Sequence, residues 1–274
     1  MIEAVVSARA LTTNILAEAL RGINGQSEGE IRDRILHLLA SHKELYPQGW
    51  YDPPLGGTGI LFAEKPYERL KFETLRDPTY CPSADVRFTP ESVGMVYASS
   101  VDRATGMIGD AGLTIYTGKD NAVREHIHSC LSVMRAVADH AAVGMKFSDL
   151  YAYAMRHFKE SGSLVVGWMT THHDPQKVNL GHTIPGSFGA ALPAGGSFES
   201  LKEAIRTQRI YINEVESFEI PPTCAFTFEA RLVDEARRMP NAFFHLTVTF
   251  SEGEKRILDD FDAIFRVTGM DYML

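Results

Sequence analysis

The chain has 274 residues, 45% hydrophobic and 23% charged, with a formal net charge of −8. That balance suits one large domain or two small ones, and it excludes neither enzyme nor binding module. An acidic chain without a Lys/Arg cluster argues against nucleic acid or an anionic membrane as partner. The densest basic group, Arg231, Arg237 and Arg238, is interleaved with acids and reads as solvated or ion-paired. Three widely spaced cysteines, Cys81, Cys130 and Cys224, form neither a disulfide framework nor a zinc cluster. No stretch approaches the ~18 consecutive apolar residues of a membrane helix. The apolar N-terminus is interrupted by Glu3, Arg9, Asn14 and Glu18, as in an amphipathic helix and not a signal peptide. The expectation is a soluble, cytoplasmic protein.

Residues 3–22 place Val5, Ala8, Leu11, Ile15 and Ala19 at helical spacing. Gly25 breaks this helix, and Ser27 with Glu30 three residues on predicts a capping box opening a second helix to about His42. Residues 43–90 read mostly as loop, with WYDPPLGGTGILF near the start. SVGMVYASS and GMIGDAGLTIYTG read as strands. Residues 121–142 form a strongly amphipathic helix, and Gly144 and Ser148 (as N-cap) introduce another to about Lys159. A long Gly/Pro-containing loop and a short helix at 199–208 precede the strand-like runs RIYINEVESFEI, CAFTFEARLV, FFHLTVTFS and DAIFRVT. Helix, helix, strands therefore occurs twice. The predicted fold is α+β, a single domain whose pseudo-repeated halves, about 1–119 and 120–274, lay helices on a curved antiparallel sheet.

Chemistry is sought where a polar residue interrupts an apolar run. Asp110 does so in GMIGDAGLTIY, Glu229 in CAFTFEARLV, and Asp259 and Asp260 in RILDDFDAIF. His182 stands between glycines in NLGHTIPGSFG. Each has a plain alternative: a turn aspartate, a solvent-facing glutamate, a capped bulge, a surface histidine. Carboxylates and a histidine converging from strands would instead hold a metal ion.

The order Asp, His, Glu, carboxylate resembles the pita-bread family of methionine aminopeptidase, proline-specific aminopeptidase, prolidase and creatinase (the M24 metallopeptidase type). GDAGLTIYTGKD is similar to the stretch around that family's second metal aspartate, with Thr114 and Gly118 at matching spacing. NLGHTIPGSFG is similar to its metal-histidine motif, IPPTCAFTFEARL to the strand of its first metal glutamate, and KRILDDFDAIFRVTG to its last strand. The resemblance spans nearly the whole chain, without the N-terminal domain of creatinase and prolidase. It implies a pita-bread fold and the metal ligands Asp110, His182, Glu229 and one of Asp259 or Asp260. It also marks departures. The family's first aspartate lies eleven residues before the second, where this chain has Ser99, and its second histidine falls at Gly189. His172 and His173 are the substitutes considered for that histidine.

The expected cofactor is therefore one divalent ion, Fe, Mn, Co or Zn, in place of a two-metal clamp. The leading expectation is a metal-dependent enzyme on a small amino-acid-like or peptide-like substrate, with hydrolysis slightly ahead. Glu229 or a pocket histidine, His172 or His173, would carry the proton. The alternatives are a single-metal lyase, decarboxylase or Fe-dependent oxidative enzyme, and a metal-free pita-bread binding protein. Trp50, Tyr51, Phe188 and Ser99 are the candidate substrate-binding residues, while Phe228 reads as core. A homodimer is compatible with the long loops.

Overall fold

The computed structural model describes residues 1–70, 75, 77, 80–165, 178–190, 192 and 197–274. Two helices open the chain, α1 (Ile2–Ala19) and α2 (Glu28–Ser41). The capping box forms: Glu30 N donates to Ser27 Oγ at 3.2 Å, and Ser27 N donates to Glu30 Oε2 at 2.6 Å. Ile31, Ile35 and Leu39, spaced at i, i+4 and i+8, are buried, and α2 packs against the first strand, β1 (Thr58–Ala63). The expected loop 43–90 thus contains a strand.

The Glu28 side chain is fully buried in the first turn of α2. It accepts hydrogen bonds from Phe62 N at 2.8 Å and Ser83 N at 2.9 Å, and pairs with both terminal nitrogens of Arg69. One carboxylate thereby ties α2, β1 and the segment after it.

Strand β1 pairs antiparallel with β2 (Val93–Ala98), which pairs antiparallel with β3 (Ala111–Tyr116). Helices α3 (Asn121–His140, capped by Asp120) and α4 (Phe147–Glu160) follow. Cys130 is buried on the apolar face of α3. The α4 cap is Lys146 and not Ser148; the chain enters through a backbone pairing of Lys146 with Glu219, without a side-chain cap.

The second half supplies β4 (Ser163–Val165), α5 (Phe198–Thr207), β5 (Cys224–Phe228), β6 (Arg231–Asp234), β7 (Ala242–Phe243), β8 (Leu246–Ser251) and β9 (Glu254–Leu258). Their order is β4-β6-β7 in one antiparallel sheet and β5-β8-β9 in another. The single extended segment 242–251 joins them all. Its start pairs with β6, its end with β5 and β9, and its middle reaches β3 through the Leu113–Phe244 bridge and a 2.8 Å bond from His245 N to Gly112 O.

Two strand expectations fail. RIYINEVESFEI makes only isolated bridges, including His182–Tyr211. DAIFRVT is the helix α6 (Asp262–Thr268), burying Ile264, Phe265 and Thr268. It starts with an acidic first turn and ends at Gly269 in the left-handed conformation, φ 79°. Its β-branched residues are overridden by those end signals and by packing on α1. Among the described residues no helix is long and apolar enough to cross a membrane.

Replacing Glu28 by Ala strands two backbone N–H donors and should cost about 2 kcal/mol. Ser27→Ala loses a cap and should cost about 1 kcal/mol. Urea unfolding monitored by circular dichroism checks the ranking.

Candidate functional site

Asp110 stands immediately before β3 and is 2% exposed. Its oxygens accept from Trp50 Nε1 at 2.8 Å and from the Tyr97 hydroxyl at 3.0 Å, and its backbone carbonyl accepts from Arg9 Nη1. Burial raises its carboxyl from 3.8 to about 7, against the lowering effect of those donors and of the Arg209 and Arg9 charges.

His182 lies in an extended segment beside β5. Its N donates to Thr227 Oγ1 at 3.0 Å, and its carbonyl accepts from Thr227 N at 2.7 Å. Glycine at 181 permits this approach: φ is 151°, and a Cβ there would sit 2.0 Å from Thr227 O. The ring Nδ1 is 2.9 Å from Thr183 O. A carbonyl only accepts, so Nδ1 carries the proton and Nε2 keeps its lone pair. That nitrogen is 3.7 Å from Glu229 Oε1. Burial, then the Arg209 charge, push the imidazole pKa well below its ordinary value.

Glu229 follows β5, held by its N–H to Leu180 O at 2.8 Å. Its carboxyl rises from 4.5 to about 8 because it is buried and next to Asp110, with Arg231 and Arg209 opposing. Its second oxygen is 3.4 Å from His245 Nε2. Among the described residues Glu229 faces only these two imidazoles within 4 Å as ionic partners, and Asp110 has no ionic partner at that distance. Burial, then Arg9 and His182, lower the His245 pKa well below its ordinary value.

A cleft of about 480 Å³, counted out to open solvent, runs past these groups. Trp50, Tyr51, Tyr97, Tyr211 and Phe243 are its aromatic walls, and His182, Glu229, Arg209 and Arg231 its polar ones. The Arg209 guanidinium lies over Trp50 at 4.8 Å and Tyr211 at 5.3 Å, and that of Arg231 over Phe243 at 4.9 Å. Both arginines are buried, Arg231 to 2% exposure, so of the two expected readings of Arg231, solvated or ion-paired, the solvated one is corrected: it lines the cleft. The Phe243 ring and the nearby Glu229 offset its burial.

Several expected site residues stand elsewhere. Ser99 Oγ donates to Gly57 O at 3.0 Å and accepts from Tyr51 N at 3.1 Å. It fastens the strap that carries Trp50 and Tyr51 and does not line the cleft. Asp260 accepts from Arg9 Nε at 3.1 Å and Thr13 Oγ1 at 2.8 Å, and Asp259 from Arg135 Nε at 2.7 Å. They follow β9, past its pairing with β8, and their charges are met by those arginines. Phe188 packs on Phe218, and Phe228 lies in the core. His172 and His173 lie outside the described residues. Sequence reasoning missed His245, Tyr97 and Arg209. His245 interrupts the apolar run FFHLTVTF, the same signal that singled out Glu229. Among the described residues, no three His, Cys, Asp or Glu side chains stand close enough to hold an ion as they lie.

Residues 3–188 match the model of metallopeptidase family M24. No curated protein sequence matches the chain. Among solved structures it is similar to a prolidase from Thermococcus sibiricus, with TM-score 0.65, 12% identity, and coverage of 95% of this chain and 59% of that one. It is also similar to the prolidase from Pyrococcus furiosus (0.64, 16%, 94% and 63%) and to a variant of Escherichia coli aminopeptidase P (0.64, 14%, 98% and 58%). The chain spans about three fifths of the length of these structures. At such identities the likeness shows the fold, the pita-bread α+β fold with antiparallel sheets.

The raised carboxyls make stability pH-dependent. An unfolded chain releases both protons near 3.8 and 4.5, whereas the folded chain holds them to about 7 and about 8, so rising pH favours unfolding across that interval. The two lowered imidazoles act oppositely, but only below their unfolded value of 6.5. Between pH 6.5 and 8 the melting temperature of chelator-treated protein should therefore fall. The double variant Asp110→Asn, Glu229→Gln should flatten that slope; a wild-type profile that is flat or rising would contradict the assignment.

Proposed function

Because the chain belongs to metallopeptidase family M24, we propose that it is a metal-dependent enzyme using one divalent ion on a small amino-acid-like or peptide-like substrate, with hydrolysis as its chemistry. The observation that carries this reading is a buried carboxylate, Asp110, and a largely buried one, Glu229 with its side chain 14% exposed, both without a lysine or arginine in ion-pair contact among the described residues, beside an imidazole whose lone pair faces Glu229. Buried charge is ordinarily paired or bound to metal. Asp110, Glu229 and His182 Nε2 are a donor set that suits Fe, Mn, Co or Zn. Ser99, turned to Gly57, and Asp259 and Asp260, spent on arginines, leave a second ion without these ligands among the described residues, which supports one ion in place of two.

When bound, such an ion polarises a carbonyl and lowers the pKa of water. The protein's own groups do the rest. Arg209 and Arg231 hold a carboxylate end of the substrate against the aromatic walls. Trp50 and Tyr97 fix Asp110 in one orientation. An oxygen of Glu229 left free of the ion would accept a proton and return it to the leaving group. A closed aromatic wall limits competing water.

Protein purified without chelator or added metal should contain about one ion per chain, and His182→Ala should lose it while keeping its circular dichroism spectrum. Two ions per chain would restore a paired clamp. No ion, even after reconstitution, would sink the metalloenzyme and leave an anion-binding pocket built on Arg209 and Arg231.

A further inference from the structure

His245 has no role in the scheme above, yet it is wholly buried at the junction of the sheets. The β5–β8 register pairs Phe228 with Leu246, so one step further sets Glu229 opposite His245. Its Nε2 has no hydrogen-bond partner among the described residues. A buried ring nitrogen without a partner calls for an explanation. It lies 3.4 Å from one Glu229 oxygen, while His182 Nε2 lies 3.7 Å from the other. The opposite edge of the ring, Nδ1, is 3.4 Å from Arg9 Nη1, whose nearer acceptor is the Asp110 carbonyl.

Building on the single-ion reading, we propose that His245 is a second imidazole ligand, so that the ion is held by His182, Glu229 and His245 together with Asp110. In the structure the ligating atoms face one another in pairs around Glu229 and do not share a centre. They stand on neighbouring extended segments, and binding the ion would require the Glu229 and imidazole side chains to turn toward Asp110, which Trp50 and Tyr97 hold in place. Two imidazoles with carboxylate shift the site away from Mg and Ca toward Zn, Fe, Co and Cu.

Chelator-treated protein loaded with one equivalent of Cu(II) tests this by pulsed electron paramagnetic resonance, which counts coordinated imidazoles. The wild type should show two and His245→Gln one, with Zn(II) affinity weakened at least about tenfold, the smallest loss typical of removing even a group that only supports a ligand. One imidazole in the wild type overturns the proposal and leaves the single-ion reading intact; His245 is then a neutral donor to Glu229, its Nδ1 accepting from Arg9. A copper signal unchanged by His182→Ala, or no bound copper, overturns the single-ion reading and this inference with it. If His245→Gln does not fold, the wild-type count decides alone.

Discussion

Two carboxylates, one buried and one largely so, stand here without a basic side chain in ion-pair contact among the described residues. Asp110 and Glu229 lie in the same region, and the Asp110 charge raises the cost of ionising Glu229. Such an arrangement persists only when the surrounding structure over-determines it. Trp50 and Tyr97 supply donors to Asp110, the fully folded sheets enclose Glu229, and the guanidiniums of Arg9, Arg209 and Arg231 bias the potential from a distance. What results is an imbalance between burial and charge that holds both carboxyls toward the neutral form.

The geometry behind that imbalance comes from one strand. Segment 242–251 touches β3, β5, β6 and β9 in turn, and His245 sits where it passes from one sheet to the next. Each ligand candidate therefore comes from a different element meeting at this junction: Asp110 from the start of β3, Glu229 from the end of β5, His182 from the segment alongside it. Sites built on paired strands hold their geometry better than sites on loops. Of the aromatic walls, Trp50 and Tyr51 come from a strap, which Ser99 fastens.

Arg9 links this centre to the far end of the chain. Its guanidinium touches the Asp110 carbonyl, lies near His245, sits 5.2 Å from the Phe261 ring and pairs with Asp260. Helix α1 and the β9–α6 turn are thereby bound to the site floor. Breaking that contact would leave a buried positive charge beside the imidazole, so the N-terminal helix belongs to the architecture of the cleft as much as the sheets do.

Helical spacing, the Ser27–Glu30 box and the polar interruptions at Asp110, His182 and Glu229 were legible in the sequence because they are local signals: a period, a cap, a break in an apolar run. The same signal also singled out Asp259 and Asp260, which lie against Arg135 and Arg9, and passed over His245, which stands 3.4 Å from Glu229. One dimension does not distinguish a carboxylate that faces a cleft from one neutralised by an arginine 251 residues away, as Asp260 is by Arg9. Nor does it show that Arg231, flanked in sequence by ordinary strand residues, stacks on Phe243 and lines the cleft. Which polar residues share a space is set by strand register and by contacts between distant segments. That is why the amino-acid order determined the elements and the candidate chemistry, and only the tertiary structure decided which candidates meet.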